Sequence, residues 1–200
     1  MEKDLGNGRA VVNEAPDGSS PQAASIPIAK IGITGTRWKL QDAQAKVLGG
    51  ALIGFREGGV EWQLNGDCVG ADDHAGKIWK AIGGKIQLHP PTNRSKRAFL
   101  KAEIIRTAKP YLDRNKDIVD ECDVLVGLPQ EEFEQQRSGT WSTIRYARKL
   151  GKQVMIIWPS GKMQFEPAKA IEAGTAKTER LGPQDESAVG NADLPNNSGL

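Results

Sequence analysis

The sequence predicts a three-layer α/β fold in which helices cover both faces of a five-stranded parallel sheet. Five short apolar runs alternate with amphipathic helical stretches along the chain, which is the pattern of parallel strands joined by helical crossovers. The 200 residues suffice for one such domain with a core of its own. Right-handed crossovers then favour the strand order 3-2-1-4-5.

The spacing of apolar residues predicts each element in turn. Strands are predicted at 30–34, 60–64, 85–88, 123–128 and 153–158. Helices are predicted at 40–57, 71–82, 98–108, 111–121 and 142–151, and the first ends at a pair of glycines. In the helix at 111–121 we expect Leu112, Ile118 and Val119 to face the core.

The two ends of the chain differ in composition from its centre. Residues 1–27 are polar and rich in Gly, so we expect a disordered or weakly docked arm, or alternatively an arm that orders on a partner. Residues 163–200 are expected to be mostly disordered, because apolar residues become sparse there. Residues 28–162 are therefore predicted to form the folded domain.

Composition argues against several classes of protein. The formal net charge of +2 is too small to indicate nucleic-acid binding by itself. Cys68 and Cys122 lack the spacing of metal ligands, so we expect no metal site and a reducing, cytoplasmic location. No apolar run approaches the ~18 residues of a membrane span. The polar N-terminus also lacks the apolar segment of a secretory signal, and no membrane partner is expected.

Small-residue loops follow the first, second and fourth predicted strands, which are neighbours in the order 3-2-1-4-5. The chain reverses direction between the first and fourth strands, and ligands bind at such switch points beyond the carboxyl ends of the strands. We therefore expect one ligand site built from these loops and one neighbouring helix. The candidate residues are Gly35, Thr36, Arg37, Gly66, Asp67, Gly70, Asp72, Arg114, Asn115, Arg137, Ser138, Gly139 and Thr140.

The residue types in these loops suit a phosphorylated ligand. The stretch from Ser138 to Thr140 opens a helix, whose free N–H groups and positive partial charge favour a phosphate or carboxylate. Arg37 offers a bidentate fork for phosphate. Asp67 and Asp72 can accept hydrogen bonds from a ribose or a base, although Asp72 is also well placed to cap its helix.

These motifs together resemble the SLOG superfamily. The resemblance lies in residues 35–37, 66–72, 114–115 and 137–141, and it covers the chain from about 30 to 160. It is closest to the small YspA/YpsA-related members of bacteria and their phages. It implies a Rossmann-like fold that binds a nucleotide or a nucleotide-derived ligand. The superfamily includes DNA-processing protein A and the LOG phosphoribohydrolases, which cleave the base from a nucleoside monophosphate.

The chain departs from the hydrolases of this superfamily at one position. Their Gly-Gly-x-Gly-Thr-x-x-Glu pattern ends in a catalytic glutamate, and its Gly-Thr pair matches Gly139 and Thr140. Thr143 stands at the glutamate position, and the upstream glycine pair is absent. A hydroxyl cannot replace a carboxylate that stabilises a cationic centre or activates water. The resemblance therefore implies phosphate binding at residues 138–140, without N-glycosidase catalysis.

The first hypothesis is thus a binding or sensing protein for a nucleotide or nucleotide-derived phosphorylated ligand, with no required cofactor. The second is a nucleotide N-glycosidase or related hydrolase in which Asp67, Asp72 or Glu134 replaces the missing glutamate. The third is a nucleic-acid accessory protein that uses the basic run at 94–109. Nucleic acid is a less favoured partner than a small molecule, and the oligomeric state stays open, with a homo-oligomer as one alternative.

Overall fold

Seven strands form a single sheet in the computed structural model, which describes residues 28–169. The strands are β1 (Lys30–Gly35), β2 (Trp62–Asn65), β3 (Lys85–Leu88), β4 (Ile104–Ile105), β5 (Val124–Leu128), β6 (Gln153–Ile157) and β7 (Met163–Glu166). The helices are α1 (Asp42–Glu57), α2 (Ala71–Ala81), α3 (Tyr111–Glu121) and α4 (Gly139–Lys149), and a 3-10 turn lies at Arg94–Lys96. The predicted α/β class is confirmed.

The strands lie in the order β4-β3-β2-β1-β5-β6-β7. Neighbouring strands are parallel except for β6 and β7, which pair antiparallel. The prediction of a five-stranded, wholly parallel sheet is therefore wrong. The five predicted strands occupy the middle of the sheet in their predicted relative order, and β4 and β7 extend it at its two edges.

The prediction of a helix at 98–108 is also wrong, because this segment contains β4, which pairs with β3. The Glu103 N–H donates to the Ile86 carbonyl at 3.1 Å, and the Arg106 N–H donates to the Leu88 carbonyl at 2.8 Å. The Glu103 carboxylate accepts from the Ile86 N–H at 2.7 Å. Pairing here satisfies backbone groups at the edge of the sheet, so tertiary context overrides the helical pattern.

Two apolar clusters cover the two faces of the sheet. On one face Leu48 of α1 and Trp79 of α2 belong to a cluster that includes Ile33 of β1. On the other face Trp141 and Ile144 of α4 belong to a cluster that includes Val154 and Ile156 of β6. All four helix side chains are at most 1% exposed. Helices on both faces hold the strands in place and bring the loops that follow β1 and β5 to the same edge of the sheet.

The inward face of α3 differs from the prediction. Ile118 and Val119 are buried as expected, but Leu112 is 54% exposed. Leu112 lines an open groove between α3 and α4 instead of contacting the sheet. Arg114 and Asn115 are buried in addition. The buried side of α3 thus carries polar groups that need partners, and these partners lie near the candidate site.

In the register between β1 and β5, the carboxyl ends of the two strands lie opposite each other. The pairing runs from Ile31 opposite Val124 to Gly35 opposite Leu128. The loops that leave these strands therefore begin side by side at the predicted switch point. The predicted arm at 1–27 lies outside the described residues, and so does the part of the predicted tail at 163–200 that begins at residue 170. Within residues 28–169, no helix combines the length and the apolar content of a membrane span.

Candidate functional site

A cleft of about 410 Å³ opens at the carboxyl ends of β1 and β5. It is lined by Gly35, Thr36, Arg37, Trp38, Tyr111, Gln130, Glu131, Arg137, Ser138, Gly139 and Thr140. Two of the three predicted loops therefore meet here. The cleft has the size of small-molecule sites in proteins, which run from about 300 to 1,000 Å³.

One wall of the cleft is the turn after β1. Gly35 is required there, because a Cβ atom on it would collide with the Cβ of Ala71 and lie 2.8 Å from that of Leu128. The Thr36 N–H donates to the Leu128 carbonyl at 2.9 Å, and the Thr36 hydroxyl donates to the Gln130 side-chain oxygen at 2.6 Å. These bonds fasten the turn to the loop after β5.

The opposite wall is the first turn of α4. Ser138 caps this helix, and its Oγ accepts from the Trp141 N–H at 3.4 Å. The N–H groups of the first turn have no carbonyl partner within their own helix, so they present partial positive charge to the cleft. A Cβ atom on Gly139 would lie only 2.7 Å from Cε1 of Tyr111, so the helix and the aromatic ring are in close contact.

The two arginines of the cleft make no ion pair with the residues that the structure describes. Twelve side-chain ion pairs are present among residues 28–169, and none of them involves Arg37 or Arg137. Arg145 and Arg148, further along α4, both pair with Glu134. The lining thus combines a helix N-terminus with two cations that have no carboxylate partner among residues 28–169, and this combination favours an anionic ligand.

The loop after β2 does not reach the cleft, contrary to the arrangement that its glycines suggested. Asp67 is fully buried, and its carboxylate binds Nε of Arg97 at 2.5 Å and the Leu100 N–H at 2.9 Å. Gly70, with φ of 93°, packs against the turn after β1, since a Cβ atom on it would lie 2.5 Å from the Thr36 carbonyl oxygen. This loop supports the site from behind.

A buried polar cluster lies behind the cleft. The guanidinium of Arg114 fills the space that a side chain on Gly66 would occupy. Its Nη1 lies 3.8 Å from Oδ2 of Asp72, its Nη2 lies 2.9 Å from Sγ of Cys68, and its carbon lies 4.8 Å from the Tyr111 ring centroid. Tyr111 therefore separates this cluster from the cleft.

Burial raises the pKa values of two groups in this cluster, the Asp72 carboxyl and the Cys68 thiol. Burial raises the pKa of Asp72 to about 6, although the Arg114 guanidinium acts in the opposite direction. Burial, with a smaller contribution from Asp72, raises the pKa of the Cys68 thiol to about 11. Cys68 is therefore a neutral thiol at physiological pH, which disfavours a nucleophilic role.

Asn115 contacts α4 rather than the cleft. Its side-chain amide donates to the Thr143 hydroxyl at 2.7 Å, and that hydroxyl donates to the Gly139 carbonyl at 2.9 Å. The pair ties α3 to the first turn of α4. Of the thirteen predicted site residues, seven line the cleft and the other six (Gly66, Asp67, Gly70, Asp72, Arg114 and Asn115) lie behind it.

Four residues of the lining were not among the thirteen predicted site residues: Trp38, Tyr111, Gln130 and Glu131. Trp38 is 72% exposed and directly follows Arg37 in a polar turn, where a large aromatic side chain is a signal for binding. Tyr111 opens α3 behind Pro110, and no local pattern in the sequence places it beside α4.

No protein-family model and no curated protein sequence matches the chain. Several solved structures resemble it. A molybdenum cofactor binding protein from the phototrophic bacterium Rippkaea orientalis is 21% identical, with a TM-score of 0.55 over 67% of this chain and 78% of that one. The Moco carrier protein from Chlamydomonas reinhardtii is 20% identical, with a TM-score of 0.50 over 64% and 75% of the respective chains.

DNA processing protein A from Streptococcus pneumoniae is 19% identical, with a TM-score of 0.50 over 64% of this chain and 50% of that one. At these identities the likeness shows a shared Rossmann-like fold and no more. The expectation that no cofactor is required is contradicted by these neighbours, because two of them are molybdenum cofactor binding or carrier proteins. That expectation is withdrawn.

Proposed function

We propose that the chain is a SLOG-type binding or sensing protein for a nucleotide or another phosphorylated cofactor-type ligand. The observation that carries the proposal is the convergence of Arg37, Arg137 and the N-terminus of α4 on one cleft of about 410 Å³. Within residues 28–169, neither arginine has a carboxylate partner. A phosphate group would satisfy all three features at once.

The rest of the lining suits the other parts of such a ligand. A phosphate on the first turn of α4 lies beside Arg37, which provides a second, bidentate contact. Trp38 and Tyr111 offer aromatic surface for a flat heterocycle. The Glu131 carboxylate, also in the lining, can accept hydrogen bonds from ribose hydroxyls or from an exocyclic amine.

The molybdenum cofactor fits the same description, because it joins a phosphate to a pterin-derived ring system. The fold neighbours that bind or carry it make it a second candidate ligand for this cleft. Its phosphate would lie on Ser138, Gly139 and Thr140, as a nucleotide phosphate would. A nucleotide and the molybdenum cofactor share a phosphate group and differ in their ring systems. An experiment must therefore identify the ring system of the bound ligand.

The hydrolase alternative has less support. Asp67 is paired with Arg97, Asp72 lies behind Tyr111, and Glu134 pairs with two arginines of α4. None of these three carboxylates lines the cleft, whereas Glu131 does. A hydrolytic version of the proposal therefore needs Glu131 as its acid or base.

The nucleic-acid alternative is weakened by ion pairing. Within the basic run at 94–109, Arg97, Arg106 and Lys109 each pair with a carboxylate of another element. Phe99 is exposed, but the guanidinium carbons of Arg94 and Arg97 lie 5.8 and 4.7 Å from its ring centroid. The run therefore offers less free charge than its composition suggests.

Thermal unfolding with a ligand panel tests the proposal. We expect AMP, GMP or ADP-ribose to raise Tm by several degrees, since a ligand at a hundredfold its Kd adds about 2.7 kcal/mol to the stability. Arg37→Ala should abolish the shift. Lys39→Ala is the matched control, because Lys39 pairs with Asp42 and does not line the cleft.

Native mass spectrometry of the purified protein completes the test. A bound pterin would select the molybdenum-cofactor candidate, and a bound nucleotide the first candidate. The proposal is overturned if the panel leaves Tm unchanged and no phosphorylated small molecule accompanies the protein.

A further inference from the structure

A second, smaller compartment adjoins the cleft. It has a volume of about 200 Å³ and is lined by Arg37, Pro91, Thr92, Asn93, Lys96 and Tyr111. Arg37 and Tyr111 belong to both linings, so the two compartments meet at these side chains. At about 200 Å³ the second compartment is smaller than the ~300 Å³ of an independent small-molecule site. It is therefore better understood as an extension of the first.

The chemistry of the second compartment is mixed. Pro91 and the Tyr111 ring supply apolar surface, and Thr92 and Asn93 supply polar atoms. Lys96 is exposed, and none of the ion pairs found among residues 28–169 involves it. The compartment thus repeats the features of the main cleft on a smaller scale: a cation without a carboxylate partner beside an aromatic surface.

The walls of this compartment are held in place by the rest of the fold. The Val69 N–H donates to the Lys96 carbonyl at 3.1 Å, and the Thr92 N–H donates to the Lys109 carbonyl at 3.1 Å. Tyr111 is packed between Gly139 and the Arg114 guanidinium. A preformed subsite costs less ordering entropy when a ligand enters it.

Resting on the proposed function, we infer that the ligand has two ring-bearing halves joined by a diphosphate, as in a dinucleotide. One half occupies the main cleft with its phosphate on the first turn of α4. The diphosphate crosses at Arg37, which faces both compartments. The second ring lies against Tyr111 and Pro91, and Lys96 contacts the second phosphate.

Isothermal titration calorimetry with AMP, ADP and diadenosine diphosphate tests this inference. We expect the dinucleotide to bind at least about tenfold more tightly than AMP, with ADP in between, because only the dinucleotide fills both compartments. Lys96→Ala should remove most of that gain while leaving AMP affinity unchanged. Lys101→Ala, which makes the same charge change in the same basic run outside both linings, should leave both affinities unchanged.

Two outcomes separate this inference from the proposed function. If AMP and the dinucleotide bind equally well and Lys96→Ala affects neither, the two-part ligand is refuted while the nucleotide site stands. If none of the three binds and the native protein carries no phosphorylated molecule, the proposed function falls and the inference with it. Because Lys96 is exposed, thermal unfolding of the variant is expected to match that of the unmodified protein, which verifies that the loss is local.

Discussion

Replacing Asp72 by asparagine should change how stability depends on pH. The carboxyl group is 5% exposed, its nearest cation is Arg114 at 3.8 Å, and it accepts the Cys68 N–H at 3.2 Å. The distance to Arg114 is too long for a direct hydrogen bond, so the charge is only partly compensated. Burial therefore dominates and raises the pKa of Asp72 to about 6, from 3.8.

The sign and size of the effect follow from that shift. Below pH 4 the carboxyl group is protonated in both the folded and the unfolded chain, and it contributes no pH dependence. Between about pH 4 and 6 the unfolded chain has lost the proton and the folded chain still holds it, so stability falls by about 1.4 kcal/mol per pH unit. Above pH 6 both states are ionised, and the total loss is about 3 kcal/mol. Cys68 does not interfere, because its pKa of about 11 lies outside this window.

Urea unfolding of both proteins at several pH values between 4 and 7 measures the effect. We compare the free energy of unfolding of Asp72→Asn with that of the unmodified protein at each pH. The difference should shift in favour of the variant by about 3 kcal/mol between pH 4 and pH 7. Losing the contact with Arg114 adds a term that is the same at every pH and does not affect this shift. Asp73→Asn is the control, since that carboxylate lies near the surface beside Lys77 and should produce no such rise. A stability difference for Asp72→Asn that changes by less than about 1 kcal/mol between pH 4 and 6.5 would refute the argument.

Two further substitutions test the walls of the cleft. Ser138→Ala removes the cap of α4 and should lower stability by about 1 kcal/mol in chemical denaturation; an unchanged midpoint would show that the 3.4 Å cap bond contributes nothing. Gly66→Ala should cost at least about 2 kcal/mol, because the new methyl group would displace the Arg114 guanidinium. Gly49→Ala, in open space on α1, is its control and should be neutral or stabilising, so equal losses at the two glycines would contradict the proposed collision.

The parts of the fold that could be predicted are those set by local periodicity. Ala75 and Trp79 of α2, and Ile144 and Ala147 of α4, recur at helical spacing, and all four are buried. The strands between these helices are apolar because they are covered on both faces. The small-residue loops after β1 and β5 could be placed together from the strand order alone, because parallel neighbouring strands have their carboxyl ends at the same edge of the sheet.

The remaining features depend on partners far away in sequence. Asp67 carries the polar character of a ligand loop, but Arg97, thirty residues later, takes its carboxylate. No local pattern marks that pairing. β7 was missed for another reason: Met163 and Phe165 are both largely exposed, so the strand lacks a buried face, and only the turn at 159–161 signals a hairpin.

The position of Thr143 bears on whether the cleft binds a ligand or acts on it. In the Gly-Gly-x-Gly-Thr-x-x-Glu motif of the LOG phosphoribohydrolases, a catalytic glutamate stands at the position that Thr143 takes when Gly139 and Thr140 are matched to the Gly-Thr pair. Here the Thr143 hydroxyl accepts from Asn115 and donates to the Gly139 carbonyl, so both of its hydrogen-bonding roles are used within the protein. These bonds hold the first turn of α4, whose N–H groups face the cleft, against α3. A rigid anion site lowers the entropy cost of binding a ligand. It does not supply the proton donor or acceptor that acid–base catalysis needs. Thr143 thus holds α4 against α3, and any hydrolytic activity of this cleft would have to act through Glu131, the carboxylate in its lining.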